Sequence, residues 1–215
     1  MSDHADIAQA IINVCRKAEQ KGFVAATDGN ISVRLLNGNI LATPTAVNKG
    51  LVEIGDLVET SIEGKQISGV RRPSTEMLMH LFIYQHRTDV NAVVHCHPVY
   101  ATGFATAGIP LKKNIFPEVI VQFGEIPLAE YATPSTPELG KSLEPFIKDH
   151  DAVLLANHGV VTYGKDLWDA YFKMEKVEQI AHTLFVAESL GGARQLSDQQ
   201  VLQLKALAMS VYKRD

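Results

Sequence analysis

Two histidines flank a cysteine inside an apolar run that is typical of a buried strand. The run reads AVVHCHPVY over residues 92–100 and places His95 and His97 two positions apart. Because successive side chains of a strand point to opposite faces of a sheet, the two imidazoles share one face and Cys96 takes the other. They lie about 7 Å apart along the strand, at a rise of about 3.3 Å per residue, and can converge on one ion. The fold must therefore bury a strand that presents two imidazoles on one face.

A second apolar run ends at another histidine. Residues 151–159 read DAVLLANHG, so His158 follows a strand pattern and Gly159 permits the backbone to turn away sharply. At a strand end a side chain leaves the core and can face a cleft. Three imidazole nitrogens with one open coordination position are typical of a catalytic zinc site. The alternative is that these histidines are core residues bonded to the backbone, and spacing alone leaves both interpretations open.

Helical periodicity and hairpin dipeptides alternate along the chain. Asn37-Gly38 and Glu63-Gly64 each separate two β-prone runs, which predicts two antiparallel hairpins. Further strands are predicted at residues 91–97, in the apolar run before His158, and as two short strands within 119–131. The predicted helices span residues 4–21, 99–108, 136–149 and 166–190, with one from Ser74 or Thr75 to Gln85 and one beginning near Ser197.

These patterns predict an α/β fold with a mixed, largely antiparallel sheet and helices on both faces. The chain has 215 residues, of which 46% are hydrophobic and 20% are charged, so it can bury one sizeable core. We therefore expect a single domain over residues 1–215. No internal repeat or low-complexity linker interrupts the pattern.

The net charge limits the kinds of partner that we expect, and the cysteine content indicates the cellular compartment. A formal net charge of −4 favours neither a nucleic acid nor an anionic membrane as a partner. Cys15 and Cys96 lack CxxC spacing, which argues against a disulfide framework and favours a reducing compartment such as the cytoplasm. No run approaches the roughly 20 apolar residues that span a bilayer, so we expect a soluble, unprocessed protein.

Five segments, taken in order, resemble the class II aldolase and adducin family. They are TDGNISVR at 27–34, ATPT at 42–45, RPSTEMLMH at 72–80, AVVHCHP at 92–98 and LLANHGVV at 154–161. The resemblance covers nearly the whole chain. It implies a three-layer αβα fold with a mainly antiparallel central sheet, and a homotetramer with its sites at subunit interfaces. It also implies Zn²⁺, or another divalent metal, held by the residues that match the family's ligands: His95, His97 and His158.

The resemblance assigns the other site residues as well. Glu76 matches the family's catalytic acid/base, where epimerases of this fold usually have aspartate. Thr27, Asn30, Ser74 and Thr75 match the groups that bind the substrate phosphate. Taken alone, TDGN is a tight turn and PST a helix cap, and Glu76 is a common type of surface residue near a helix N-terminus. Exposed backbone amides at such places nevertheless suit a phosphate.

The match to the family is incomplete at two positions. Phe116 stands where the family has a tyrosine from a neighbouring subunit that acts as proton donor, and a phenyl ring has no proton to donate. Tyr212 matches a tail tyrosine that reaches a neighbour's site, so we expect it to take this role, with Tyr131 as an alternative. Ala46 stands near a position where the family has glycine. His80, one helical turn after Glu76, either lines the cleft or forms a hydrogen bond in the core.

Together these features predict a zinc-dependent lyase that binds a small-molecule sugar phosphate. The expected reaction is retro-aldol cleavage of a ketose 1-phosphate, such as L-fuculose 1-phosphate, to dihydroxyacetone phosphate and an aldehyde. The alternatives are a methylthioribulose-1-phosphate aldolase or dehydratase, a sugar-phosphate decarboxylase, a 4-epimerase, or a non-catalytic adducin-type assembly module. The presence of all three histidines together with the glutamate favours an enzyme over the assembly module.

Overall fold

The fold is built around one eight-stranded sheet, seen in a computed structural model that describes residues 2–111 and 114–211. The strands are β1 (Asn30–Arg34), β2 (Ile40–Ala42), β3 (Val58–Thr60), β4 (Gln66–Ser68), β5 (Ala92–Cys96), β6 (Leu128–Ala129), β7 (Ala152–Leu155) and β8 (Gly159–Gly164). Their order is β4-β3-β2-β1-β5-β8-β7-β6, and all neighbours are antiparallel except β6 and β7. This confirms the predicted mixed, mainly antiparallel sheet.

Helices cover both faces of the sheet and make three layers. They are α1 (Ser2–Gln20), α2 (Met77–His86), α3 (Val99–Thr106), α4 (Pro117–Gln122), α5 (Pro137–Lys141), α6 (Leu167–Ser189) and α7 (Asp198–Val211). On β5, Val94 and Cys96 pack into the core cluster with α1, α3 and α6, whereas Val93 packs into the cluster with α2 and α5. Because His95 alternates with Val94 and Cys96, it lies on the α2 face of the sheet.

The strand predicted before His158 is the first half of a hairpin. β7 ends at Leu155, and β8 begins at Gly159 after a turn in which Asn157 has a φ of 56°. The sequence prediction missed β8. This strand pairs with β5 so that His95 lies opposite Val161. The turn that carries His158 is therefore held beside the end of the strand that carries the other two histidines.

Residues 119–131 do not form the two predicted strands. Their first part belongs to α4, which has Pro117 in its first turn and Glu118 after it, and only Leu128–Ala129 forms a strand. A proline at the first helical position has its φ already suited to a helix, and an acidic residue there favours the helix dipole. These start signals, together with packing against α7, outweigh the β propensity of Val119, Ile120 and Val121.

Two predicted helices are shorter than expected. The helix predicted over 136–149 is regular only in α5, Pro137–Lys141, and continues as turns. The helix predicted from Ser74 or Thr75 begins at Met77, with Glu76 as its N-cap residue. Pro73 pairs with Pro44 in an isolated bridge, which keeps the chain extended just before the helix. Ser74 and Thr75 therefore precede the helix, and Glu76 stands at its entrance instead of inside its first turn.

The described residues can also be compared with the expectations about membrane-spanning segments and about the two cysteines. None of its helices is both long and apolar enough to cross a membrane. Cys15 and Cys96 are buried free thiols. Burial raises the pKa of the Cys15 thiol to about 12, so this group stays protonated at neutral pH.

Truncation of the core below the site should destabilise the whole fold. Leu154 in β7 is fully buried between the sheet and the α3 and α6 layer, so Leu154→Ala removes methyl groups that the neighbours cannot replace. We expect a loss of about 2–5 kcal/mol in the free energy of unfolding, measured by urea denaturation. Leu36, which is 89% exposed, provides the control, since Leu36→Ala should change stability by less than about 0.5 kcal/mol. Equal losses in the two variants would contradict this description of the core.

Candidate metal centre and adjoining cavity

Three histidine side chains from two separated segments converge at one end of the sheet. His95 lies in β5, His97 follows that strand, and His158 lies in the turn between β7 and β8. One nitrogen from each can be chosen so that all three lie within 4.8 Å of one another. The ring centroids are 4.7 to 5.0 Å apart, with each pair of rings edge to face. This is the arrangement of a cluster that could hold one cation.

Gly159 is required for this close approach. A Cβ added at Gly159 would lie 2.5 Å from Cδ2 of His97 and 2.7 Å from the carbonyl oxygen of Cys96. Both distances are shorter than real Cβ contacts allow. Gly159 therefore permits the turn after His158, and its lack of a side chain also allows β8 to lie against the His97 ring.

The tautomer of His95 suits a metal ligand. Its Nδ1 lies 2.8 Å from the carbonyl oxygen of Val160, and since a carbonyl only accepts, Nδ1 carries the proton. The lone pair is then on Nε2, which lies 3.0 Å from Nε2 of His97. Two nitrogen lone pairs cannot face each other at this distance unless a proton or a cation lies between them. A backbone carbonyl that fixes a ligating imidazole in this way is a common feature of metal sites.

Glu76 adds a carboxylate to the three imidazoles. Its two oxygens lie 3.3 Å from Nε2 of His95 and 3.1 Å from Nε2 of His158, and Nδ2 of Asn30 donates a hydrogen bond of 2.8 Å to it. Burial alone would raise the pKa of Glu76, but its interactions with His95 and His158 outweigh burial and hold the pKa well below the usual range. The site thus combines three nitrogen donors with one ionised carboxylate.

This donor set fits a divalent transition metal. Three imidazoles with a further position open are the usual ligands of catalytic Zn²⁺, and imidazole also suits copper, iron and nickel. His95, His97 and His158 could hold such an ion, and Glu76 could bind it or stand beside it. Their assignment as ligands remains a prediction that this geometry supports.

A cavity of about 330 Å³ opens next to the histidines. Its wall contains all four residues predicted to bind phosphate, together with Glu76, His97 and His158. The full lining is Thr27, Asp28, Gly29, Asn30, Pro44, Thr45, Ala46, Ser74, Thr75, Glu76, His97, Ser135 and His158. This wall is rich in hydroxyl and amide groups, and none of the lysines or arginines within residues 2–111 and 114–211 contributes to it. An anion bound here would have to be held by neutral donors and backbone N–H groups.

Two loop positions show how tightly the cavity wall is built. Gly29 has a φ of 71°, and a Cβ on it would lie 2.6 Å from Cγ1 of Val24 and 2.9 Å from the carbonyl oxygen of His95. Ala46 has a φ of 56°, in the left-handed region that glycine occupies without cost. Glycine, which the resemblance places near this position in the family, would adopt this backbone conformation without strain.

Sequence reasoning missed Lys49, whose buried side chain is hydrogen-bonded to the backbone of Thr27 in the cavity wall. Lys49 is only 1% exposed, and its ammonium group donates to the carbonyl oxygens of Thr27, at 3.0 Å, and Val47, at 2.8 Å. Burial lowers the pKa of Lys49, while nearby anionic groups such as Asp28 and Glu76 raise it. Only the flanking Asn48 and Gly50 marked a turn in the sequence, and such a turn does not reveal a buried cation.

Asp28 and Ser135 are further residues of the site to which the sequence analysis assigned no role. An oxygen of Asp28 lies 3.7 Å from Nδ1 of His97, close enough for the two groups to interact electrostatically. Ser135, with a φ of 67°, donates a hydrogen bond of 2.7 Å to the Thr75 hydroxyl in the cavity wall. Because Ser135 lies about sixty positions away in the sequence, only the fold brings it to this wall.

None of the tyrosines within residues 2–111 and 114–211 lines the cavity. Phe116 is the N-cap residue of α4 and packs against the core. Tyr131 is 59% exposed and lies away from the lining residues. Tyr212, the predicted proton donor, lies outside the described residues. Its role therefore remains a prediction from the resemblance.

His80 lies behind the cavity wall and is 1% exposed. Its Nε2 is hydrogen-bonded to Oδ1 of Asn30, and its Nδ1 lies 2.6 Å from the Ser32 hydroxyl. Burial, with a smaller contribution from His95, lowers the pKa of His80 to about 3 against the opposing effect of Glu76. Of the two roles considered for this residue, the structure shows the hydrogen bond in the core.

Comparison with known proteins gives a consistent picture. The profile of the class II aldolase and adducin N-terminal domain matches residues 9–185. An L-fuculose phosphate aldolase of Methanococcus maripaludis is 34% identical over 180 residues, 83% of this chain and 96% of that protein. A 3-oxo-tetronate 4-phosphate decarboxylase of Escherichia coli is 32% identical over 194 residues, 86% and 91% of the two chains. A solved structure of L-fuculose 1-phosphate aldolase superposes with a TM-score of 0.86 at 31% identity, over 94% of this chain and 95% of that one.

Substitution of the glycine beneath His97 should disrupt the cluster. In Gly159→Ala the new methyl group would displace the His97 ring, so we expect Zn²⁺ affinity, measured by competition with a chromophoric chelator, to fall at least about tenfold. Gly103→Ala in α3 is the matched control, because a Cβ there meets no atom within 4 Å. The control should bind Zn²⁺ as the unaltered protein does. Unchanged affinity in Gly159→Ala would contradict the role of His97.

Stability should fall in acid partly because of His80. An unfolded imidazole binds a proton near pH 6.5, whereas folded His80 does so only near pH 3. Between these values the unfolded state holds more protons, so stability decreases as the pH is lowered, by up to about 1.4 kcal/mol per pH unit from this group. In metal-free protein, urea unfolding from pH 7 to 4 should therefore show a steeper loss for the unaltered chain than for His80→Gln. Parallel curves would exclude this source of acid sensitivity.

Proposed function

Because this chain belongs to the class II aldolase and adducin family, we propose that it is a metal-dependent lyase that breaks a carbon–carbon bond in a sugar phosphate. The reaction we favour is retro-aldol cleavage of a ketose 1-phosphate, such as L-fuculose 1-phosphate, to dihydroxyacetone phosphate and an aldehyde. One observation carries the proposal. The ionised Glu76 lies 3.3 Å from His95 and 3.1 Å from His158 at the wall of a cavity rich in hydroxyl and amide donors.

His95, His97 and His158 are the proposed ligands of a zinc or other divalent ion. The ion would supply Lewis-acid polarisation of the C2 carbonyl, which makes the C3–C4 bond, one carbon removed from that carbonyl, easier to break. The three imidazoles also exclude bulk water from one side of the cavity, since His95 is fully buried and His158 is only 9% exposed at its side chain. The protein thus places a reacting carbonyl in a defined, poorly solvated position.

Glu76 is the proposed acid/base. When the C3–C4 bond breaks, the C4 hydroxyl gives up its proton and becomes the aldehyde carbonyl. The electron pair of the broken bond stays on C3 and is delocalised towards the C2 carbonyl, and C3 then gains a proton. A carboxyl group beside that carbon can deliver the proton and can remove it again in the condensation direction. Asn30 holds one oxygen of Glu76 through its 2.8 Å hydrogen bond, which orients the carboxylate for this exchange.

Thr27, Asn30, Ser74 and Thr75 are the proposed phosphate ligands. All four line the cavity, and Ser74 and Thr75 lie just before the start of α2, where the helix dipole favours an anion. Lys49 holds the carbonyl of Thr27 from below and adds positive charge close to this wall. A phosphate group can therefore bind although no lysine or arginine among the described residues lines the cavity.

Similarity to 3-oxo-tetronate 4-phosphate decarboxylases supports a second candidate reaction. In such a substrate the C1–C2 bond breaks, carbon dioxide leaves, and the electron pair stays on C2 beside the C3 carbonyl. After protonation the product is again dihydroxyacetone phosphate. Both candidates thus require the same phosphate and carbonyl subsites, and they differ in whether an aldehyde or carbon dioxide leaves. The proposed phosphate ligands would hold the half that the two substrates share.

A direct comparison of the two reactions tests the proposal. The zinc-loaded protein is incubated with dihydroxyacetone phosphate and a panel of short aldehydes, and in parallel with 3-oxo-tetronate 4-phosphate. New ketose phosphates in the first reaction support the aldolase, whereas carbon dioxide release in the second alone supports the decarboxylase. No turnover in either, and no exchange of the dihydroxyacetone phosphate C3 protons with solvent, would contradict the proposal of a lyase.

Replacement of the Glu76 carboxylate should lower turnover without lowering Zn²⁺ binding. Glu76→Gln keeps the size of the side chain but loses the acid/base group, so we expect kcat to fall about 10²- to 10⁴-fold. Zn²⁺ content should remain at the level of the unaltered protein, measured by elemental analysis after dialysis. Glu63→Gln, on an exposed turn outside the cavity, is the control and should keep full activity. Normal kcat in Glu76→Gln would refute the assigned role.

A further inference from the structure

A buried chain of hydrogen bonds runs from the core to Glu76. It links Tyr84 to Ser32 at 2.9 Å, Ser32 to His80 at 2.6 Å, His80 to Asn30, and Asn30 to Glu76 at 2.8 Å. We propose that His80 is a positioning residue that fixes the side-chain amide of Asn30 and, through it, the carboxylate of Glu76. The catalytic consequence rests on the proposed function, whereas the positioning itself does not.

Strand and helix geometry place these groups in line. Asn30 and Ser32 are two positions apart on β1 and so share the sheet face that α2 covers. His80 and Tyr84 are four positions apart on α2 and so share one side of that helix. The register of β1 with β5 puts Asn30 opposite His95. Four of the five groups therefore lie on β1 or α2, and the fifth, Glu76, is the N-cap residue of α2.

The direction of each bond follows from its end at Glu76. The side-chain amide nitrogen of Asn30 donates to Oε2 of Glu76, so its amide oxygen faces Nε2 of His80. His80 must then donate from Nε2, which leaves Nδ1 as the acceptor for the Ser32 hydroxyl. Ser32 in turn can accept from the Tyr84 hydroxyl. One arrangement of protons satisfies all five side chains.

The opposite orientation of Asn30 is strongly disfavoured. A flipped amide would point its oxygen at the carboxylate of Glu76 and its nitrogen at the Nε2–H of His80, leaving buried donors and acceptors unpaired. His80 is 1% exposed, so water cannot replace the partner that its ring would lose. The amide nitrogen carries a second proton, and since Asn30 lines the cavity, this proton is available to an anion bound there.

Two substitutions at position 80 separate positioning from simple core packing. In His80→Gln the side-chain amide nitrogen can occupy the place of Nε2 and donate to Asn30, whereas the shorter side chain in His80→Asn reaches only the place of Nδ1. Both replace a buried ring by a buried amide, so their losses of thermal stability should be similar. We expect kcat of His80→Gln to stay within about threefold of the unaltered protein and that of His80→Asn to fall about 10- to 100-fold. Equal losses of kcat in the two variants would overturn the positioning role.

Two further readouts keep the test independent of the substrate. Binding of inorganic phosphate, followed by calorimetry, should weaken at least about tenfold in His80→Asn and remain unchanged in His80→Gln. In the unaltered protein, long-range ¹H–¹⁵N correlation spectra at pH 7.5 should show His80 as the Nε2–H tautomer. An Nδ1–H tautomer, or a mobile Asn30 amide, would overturn the inference even in an active enzyme. The predicted tautomer in a protein without lyase turnover would instead contradict the proposed function alone.

Discussion

Antiparallel pairing of β5 with β8 is the constraint on which the candidate site depends. His95 and His97 are close in sequence, but His158 reaches them only because the β7–β8 turn is held beside the end of β5. Gly159 makes this contact possible, since any side chain there would collide with the His97 ring. The three imidazoles and Glu76 then form one polar cluster in which each group determines how the others are oriented.

The two faces of the sheet carry different kinds of side chain near the site. Towards α1, α3 and α6 the strands present an apolar core, which is the larger of the two core clusters. Towards α2 the same strands carry polar side chains at the site, including Asn30, Ser32 and His95, and these are hydrogen-bonded to one another or to the backbone. A buried polar network of this kind is favourable only when its members are satisfied, and then it holds side chains in one geometry. That rigidity suits a site in which a carboxylate must stand next to a reacting carbon.

The sequence predicted the parts of this structure that depend on local periodicity. The shared face of His95 and His97, the two hairpins and the long helices follow from side-chain spacing of two or about 3.6 residues. β8 and α4 were missed or misassigned because short apolar runs fit a strand and a helix equally well. Lys49 and Ser135 could not be found, since their role arises from contacts between loops that are distant in sequence. The family resemblance, by contrast, named the cavity residues because it carries information about the assembled fold.

The central claim is that three imidazoles from two segments bind a single divalent ion beside Glu76. Zinc K-edge X-ray absorption on zinc-reconstituted protein tests it most directly, because the spectrum reports the type, number and distance of the ligands. The account predicts one zinc per chain with three imidazole nitrogens at about 2.0–2.1 Å and no sulfur ligand. Fewer than three imidazoles, or a sulfur shell near about 2.3 Å from Cys15 or Cys96, would contradict it.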